Sequence, residues 1–206
     1  MTRELRGLVK GATLALVAAA LGSSCVPGYQ RNDNSPVNLW VVQMNSGVPL
    51  QSDVVSGLNT VEADLIFVDV ANRTKNPSVT VPQIPLHIIF ERYTVTYTRS
   101  DGRNEEGVDV PQRISGPLSG EVDVATSGVA SLALEVVRIQ QKLEPPLRNL
   151  RRDVNDPGNT TGGGAIVISV NAEVCIFGRT LAEQVVSDCG SMQIDFGDFS
   201  IPNAAS

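Results

Sequence analysis

His87 is the only histidine in the 206-residue chain, so any Ser/His/Asp or Cys/His nucleophilic system would have to run through it. It lies in Pro85-Leu86-His87-Ile88-Ile89, an aliphatic stretch with no nucleophile elbow beside it. That is the setting of a structural side chain on a strand. Zinc fares no better, because one histidine and the cysteines do not make a convincing ligand set. The best polar cluster runs from Asp101 to Asp109, where Asp101, Asn104, Glu105 and Asp109 offer the clustered oxygens that calcium prefers. The spacing is not that of an EF-hand, Arg103 intrudes, and Asp101-Gly102 is a good hairpin turn. A solvated turn is the stronger reading there and calcium the weaker. Arg148, Arg151 and Arg152 could dock an acidic partner or a glycan, or could simply be solvated. Carboxylate pairs for glycosidase chemistry are assembled by the fold, so the scattered acids discriminate nothing. No catalytic residue, metal or cofactor is assigned.

The elements that would position these groups have to be built from an aliphatic chain. Hydrophobic residues make up 42% and aromatics only 4%, so the core rests on Val, Ile and Leu, which suit a pleated surface. The net charge is −6. Residues 1–24 carry three cationic side chains and one anionic, which leaves −8 on the remainder. So acidic a body is unsuited to displacing counterions from nucleic acid or to adhering to anionic lipid.

The first 24 residues read as a secretory signal: Arg3, Arg6 and Lys10, then an apolar run from Ala12 to Leu21, then Gly22, Ser23 and Ser24. The run is too short to span a bilayer comfortably. Leu21-Gly22-Ser23-Ser24-Cys25 resembles the lipobox of bacterial lipoproteins, which implies that Cys25 is lipidated and becomes the mature N-terminus. The resemblance covers residues 1–25 and departs from the usual pattern, since Leu21 stands four residues before the cysteine and not three. Cleavage by an ordinary signal peptidase is the alternative. Val26 after the cysteine, where Asp would retain a lipoprotein in the inner membrane, implies the outer membrane. Residues 25–36, polar and turn-rich, read as a tether. In a bacterial setting the sequons at Asn72 and Asn159 are chance matches.

From residue 37 to 202, runs of β-formers alternate with Gly/Pro/Asn/Asp clusters: 37–44, 63–71, 86–98, 119–125, 130–139, 164–177 and 184–196. Seven strands and no credible long helix predict a single all-β, antiparallel β-sandwich. Pro145-Pro146 forbids a continuous helix through 140–153, though one turn either side is compatible with it. In the 164–177 run, Ile166, Ile168, Val170, Ala172, Val174 and Ile176 share one face, and Cys175 lies on the other. In the last run Val186, Met192, Ile194 and Phe196 share a face, and Cys189 is opposite. A hairpin centred on Ala182 then sets Cys175 against Cys189 with both side chains outward. Three cysteines leave one unpaired in an oxidising compartment. Lipidation of Cys25 accounts for the odd one and leaves a Cys175–Cys189 disulfide, with two reduced thiols as the alternative.

The segments ERYTVTYTRSDGRNEEGVDVP (91–111) and MQIDFGDF (192–199) resemble uncharacterised bacterial envelope lipoproteins with immunoglobulin-like or related sandwich domains. That resemblance implies a fold and a compartment, not an activity. The expectation is an exported, membrane-anchored, non-catalytic structural or interaction module with an envelope protein as partner. A glycan- or calcium-binding module is the alternative, and a hydrolase comes third.

Overall fold

The computed structural model describes residues 35–55, 60–76, 86–124, 129–151 and 167–199. The signal, Cys25, most of the tether, Arg152, the Asn159 sequon and residues 200–202 lie outside the described residues. Ser35 and Pro36, at the end of the expected tether, already belong to the domain. Ser35 is buried and its Oγ accepts the Val37 N–H at 3.2 Å, while the Pro36 carbonyl accepts the Lys75 N–H at 2.9 Å.

The period-two runs form strands that bury alternate side chains between two sheets. β1 (Val37–Met44), β3 (Asp64–Thr74) and β7 (Val129–Val137) make a three-stranded sheet in the order β1-β3-β7. β2 (Leu50–Asp53), β9 (Val185–Gly197), β8 (Ile168–Thr180), β4 (Ile88–Thr98) and β5 (Ile114–Pro117) make the second sheet in the order β2-β9-β8-β4-β5, with β6 (Glu121–Val122) also on β4. All pairings within these sheets are antiparallel except β2 on β9, which is parallel. The first and second strands lie in different sheets; β1-β3-β7 and β9-β8-β4-β5 have the order A-B-E and G-F-C-C′ of an immunoglobulin-type sandwich, from which β6, paired with β4, departs.

Nine strands are present among the described residues where the patterning predicts seven. The two additional ones, β2 and β5, are four residues each, too short to display a period. The 119–125 run shrinks to two residues, Glu121–Val122. Bulges explain two further departures from simple alternation. In β4 the pairing shifts between Phe90 and Arg92, so the buried set passes from Ile88 and Phe90 to Tyr93, Val95 and Tyr97. In β1 it shifts between Val41 and Gln43, and burial passes from Val37 and Leu39 to Met44.

One end of the sandwich is closed by polar contacts. Tyr97 Oη donates to the Val136 carbonyl at 2.6 Å and Tyr93 Oη to that of Glu135 at 3.0 Å, tying β4 to β7 across the core. After β7 comes one helical turn, α1 (Ile139–Leu143), then a 3₁₀ turn at Leu147–Leu150, with the prolines between them. Gln141 of α1 donates to Tyr97 Oη at 3.2 Å, and Lys142 reaches inward. The Lys142 side chain is only 2% exposed. Its Nζ lies 2.8 Å from Asp64 Oδ2 and donates to the Asp53 carbonyl at 2.8 Å. The Ser52 hydroxyl donates to the same Asp64 oxygen, and Arg151 donates to the Lys142 carbonyl at 2.9 Å.

Candidate functional site

The hairpin at the opposite end is centred where the spacing predicts. Cys175 pairs with Cys189, and the two are joined as a disulfide with Cα atoms 4.0 Å apart. Between Thr180 and Gln184 lie Leu181, Ala182 and Glu183. Glu183 adopts φ 63°, and Thr180 both donates to the Gln184 carbonyl and accepts from the Glu183 N–H, each at 2.9 Å. This is a three-residue loop ending in a left-handed residue. The side-chain direction is as expected, but Cys175 is buried. Its neighbours across the sheet, Thr94 and Cys189, flank it on both sides.

The other singled-out residues do not converge. His87 Nε2 sits 3.0 Å from an Asp123 oxygen, both partly exposed, and its backbone carbonyl accepts the Leu181 N–H at 3.1 Å. In the acidic loop the oxygens of Asp101, Asn104 and Asp109 are already engaged. Asp101 takes Arg99 at 2.6 Å and Arg103 at 3.1 Å, Asn104 Oδ1 accepts the Arg99 N–H at 2.6 Å, and Asp109 accepts the Glu105 N–H at 3.4 Å. Hydrogen bonds from Arg99, then from Arg103, hold the Asp101 carboxyl well below its usual range, at about 2. Two guanidinium groups thus stand where a cation would have to bind. No group of three or more His, Cys, Asp or Glu among the described residues could hold a metal ion. Arg151 is turned into the closed end, so with Arg148 exposed it forms no continuous basic patch. Asn72 is buried, its amide donating to the Leu86 and Val122 carbonyls at 2.8 and 3.1 Å. That amide is closed to modification in the folded chain.

A site that patterning does not signal lies where the chain crosses between sheets. At the β1 bulge the Val41 N–H donates to Asp188 Oδ2 of β9 at 2.7 Å, a side chain standing where a strand partner would be. The chain then turns through three consecutive left-handed residues, Asn45 (φ 46°), Ser46 (φ 54°) and Gly47 (φ 75°). Asn45 steadies the corner by donating from Nδ2 to the Val48 carbonyl at 2.8 Å. After Pro49 the chain becomes β2 and pairs with β9, from Leu50 against Ile194 to Asp53 against Gly197. Gly190 lets β1 lie close on β9, for a Cβ there would meet Val41 Cγ1 at 2.9 Å and Met44 Cε at 3.0 Å.

Between β1, the corner and β9 a groove of about 360 Å³ opens. Met44 and Met192, both nearly buried, line it together with Gly190 and the exposed Val42 and Val48; Gln43, Ser191 and Gln193 supply its polar groups. Among the described residues no charged and no aromatic side chain lines it. Beside it, the outer face of the three-stranded sheet carries Trp40, Leu65 and Phe67, the last two 66% exposed, with Arg73 stacked 5.4 Å from the Trp40 ring. Apolar surface of this kind marks an interaction site more often than a catalytic one.

Fold and groove together define a β-sandwich with a strand-lined recess to which no described residue brings a charge. No protein-family model matches the chain, and comparison with curated proteins and with solved structures finds no match.

Proposed function

We propose that the protein is a non-catalytic interaction module of the bacterial cell envelope, anchored through a lipid on Cys25 and binding an envelope partner through its sandwich. The observation that carries the binding role is the groove between β1 and β9, apolar at its methionines and free of ionisable side chains. Proton transfer, nucleophilic attack and metal activation all need titratable or ligating groups, whereas recognition needs shape and hydrogen bonds. The anchor is supported by the signal-like N-terminus and the lipobox resemblance. An exported acidic domain needs such a device, since its own charge gives it no electrostatic hold on lipid.

The test is mass spectrometry of the mature N-terminus together with fractionation. A diacylglyceryl adduct on Cys25 is expected, and Cys25→Ser should leave the membrane fraction. An unmodified N-terminus upstream or downstream of Cys25 would reject the anchor. Any enzymatic turnover that is lost in folded His87→Ala would reject the non-catalytic reading.

A further inference from the structure

We infer that the edge of β9 beside the groove docks an extended segment of a partner polypeptide, added as a strand. This rests on the interaction-module reading and gives it a site and a partner chemistry.

The direction of the β9 backbone groups can be worked out from two independent observations. The 4.0 Å Cα separation of Cys175 and Cys189 is that of the narrow antiparallel pair, whose members exchange no backbone hydrogen bonds. The N–H and C=O of Cys189 therefore point away from β8, and by alternation so do those of Ser191 and Gln193. Gly197 has the same parity, and its carbonyl accepts the Val54 N–H at 3.0 Å from the β2 side, as this assignment requires. β2 covers that edge only from the Gln193 carbonyl onward, since Leu50, paired with Ile194, turns its N–H to that oxygen. Upstream the chain peels away through Pro49, which has no N–H, and the left-handed corner at Asn45–Gly47. β1 does not replace β2, because its bond to β9 runs from the Val41 N–H to the Asp188 carboxylate. The N–H and C=O of Ser191 and the N–H of Gln193 thus have no strand partner among the described residues.

Such an edge selects its occupant. Its donors and acceptors recur every two residues, about 6.6–6.8 Å, and an extended polypeptide carries the same repeat. Among the described residues the lining has no charge for a cation, a phosphate or an acidic sugar, and no aromatic ring on which a sugar could stack. Met44 and Met192 provide an adaptable apolar seat for alternate side chains of the incoming strand. The open stretch of edge is flanked by β1 and the corner residues Gly47, Val48 and Pro49 and is closed beyond Gln193 by β2, so it offers a few residues to a lone extended segment and no length for pairing with the edge of a second folded sheet. The occupant is therefore a segment of a partner, not a second copy of this sandwich.

The test uses the full lipidated chain in detergent micelles and the peptide acetyl-Lys-Thr-Val-Thr-Val-Thr-Lys-amide, with amide hydrogen exchange read by NMR. Saturating peptide should slow exchange at Ser191 and Gln193 at least tenfold and leave Gly190 and Met192 unchanged, since these already bond to β8. Ser191→Pro, which removes one outward N–H and spares the β8 ladder, should abolish the effect, while Ser191→Ala should retain it. No slowing, equal slowing at all four residues, or undiminished binding by folded Ser191→Pro would overturn the inference. So would slow exchange at Ser191 and Gln193 without peptide: if dilution relieves it a second copy holds the edge, and if not, this chain does. If Ser191→Pro does not fold, the alternate-residue pattern in the unaltered chain decides alone. If the peptide fails while Cys25 is lipidated and a partner cross-links through another face, only the strand-addition inference falls.

Discussion

Replacing Asp64 by Ala should destabilise the domain more than any other single change at a charged position. Lys142 is 2% exposed and has two acceptors, Asp64 Oδ2 and the Asp53 carbonyl, each at 2.8 Å. Without Asp64 the ammonium stays out of water with one neutral carbonyl, and removing one partner of a buried pair costs about 3–5 kcal/mol. The converse change is milder. Asp64 is 19% exposed and still accepts the Ser52 hydroxyl, while Met in place of Lys142 keeps most of the buried stem, so Lys142→Met should cost about 1–3 kcal/mol. Asp64→Leu combined with Lys142→Met leaves no orphaned charge and should be more stable than Asp64→Ala alone. Urea unfolding monitored by Trp40, the only tryptophan, gives the free energies, and the melting midpoint should move roughly 2–4 °C per kcal/mol. An Asp64→Ala cost below about 1 kcal/mol, or strictly additive costs for the two sites, would refute the burial argument.

Three further outcomes are expected. Tyr97→Phe should cost about 1–2 kcal/mol in denaturant unfolding, because the Val136 carbonyl loses its hydroxyl donor and one Gln141 amide N–H its acceptor, while the Gln141 bonds with Gln112 and Arg138 remain; burial already pushes this hydroxyl above the usual phenol range. The Asp101 carboxyl should titrate near 2 in an NMR pH series. Since its folded value is depressed, the Arg99 and Arg103 contacts contribute fully above the ordinary value of 3.8 and are lost as pH falls through about 2, and a midpoint near 4 would show that the contacts do not form in solution. Replacing Cys175 and Cys189 together by Ser should lower stability by about 3 kcal/mol on the chain-entropy account without changing the fold, as read by urea unfolding and circular dichroism. Recovery of both cysteines as free thiols from oxidised protein would instead dissolve the bridge.

By itself, the sequence determined the all-β class, six of the nine strands to within four residues at either end, and the pairing of Cys175 with Cys189. These rest on local physics. Alternation in Ile168–Ile176 assigns faces, and a hairpin couples two cysteines through the few residues of its loop. The sheet membership of the strands was beyond its reach, as were β2 and β5, because four residues carry no usable period. The bulges in β1 and β4 were hidden too, since each reverses the parity on which pattern reading depends. Tertiary structure alone decided two further features. Lys142 and Asp64 are brought together by the closing of one sandwich end, and nothing near either residue marks it as half of a buried pair. The groove owes its existence to a crossing between sheets, where a left-handed corner withdraws the chain before β2 from β9 and leaves Ser191 and the Gln193 N–H without a strand partner among the described residues. An unpaired edge is a property of where neighbouring strands stop, and that is settled only when distant segments pack.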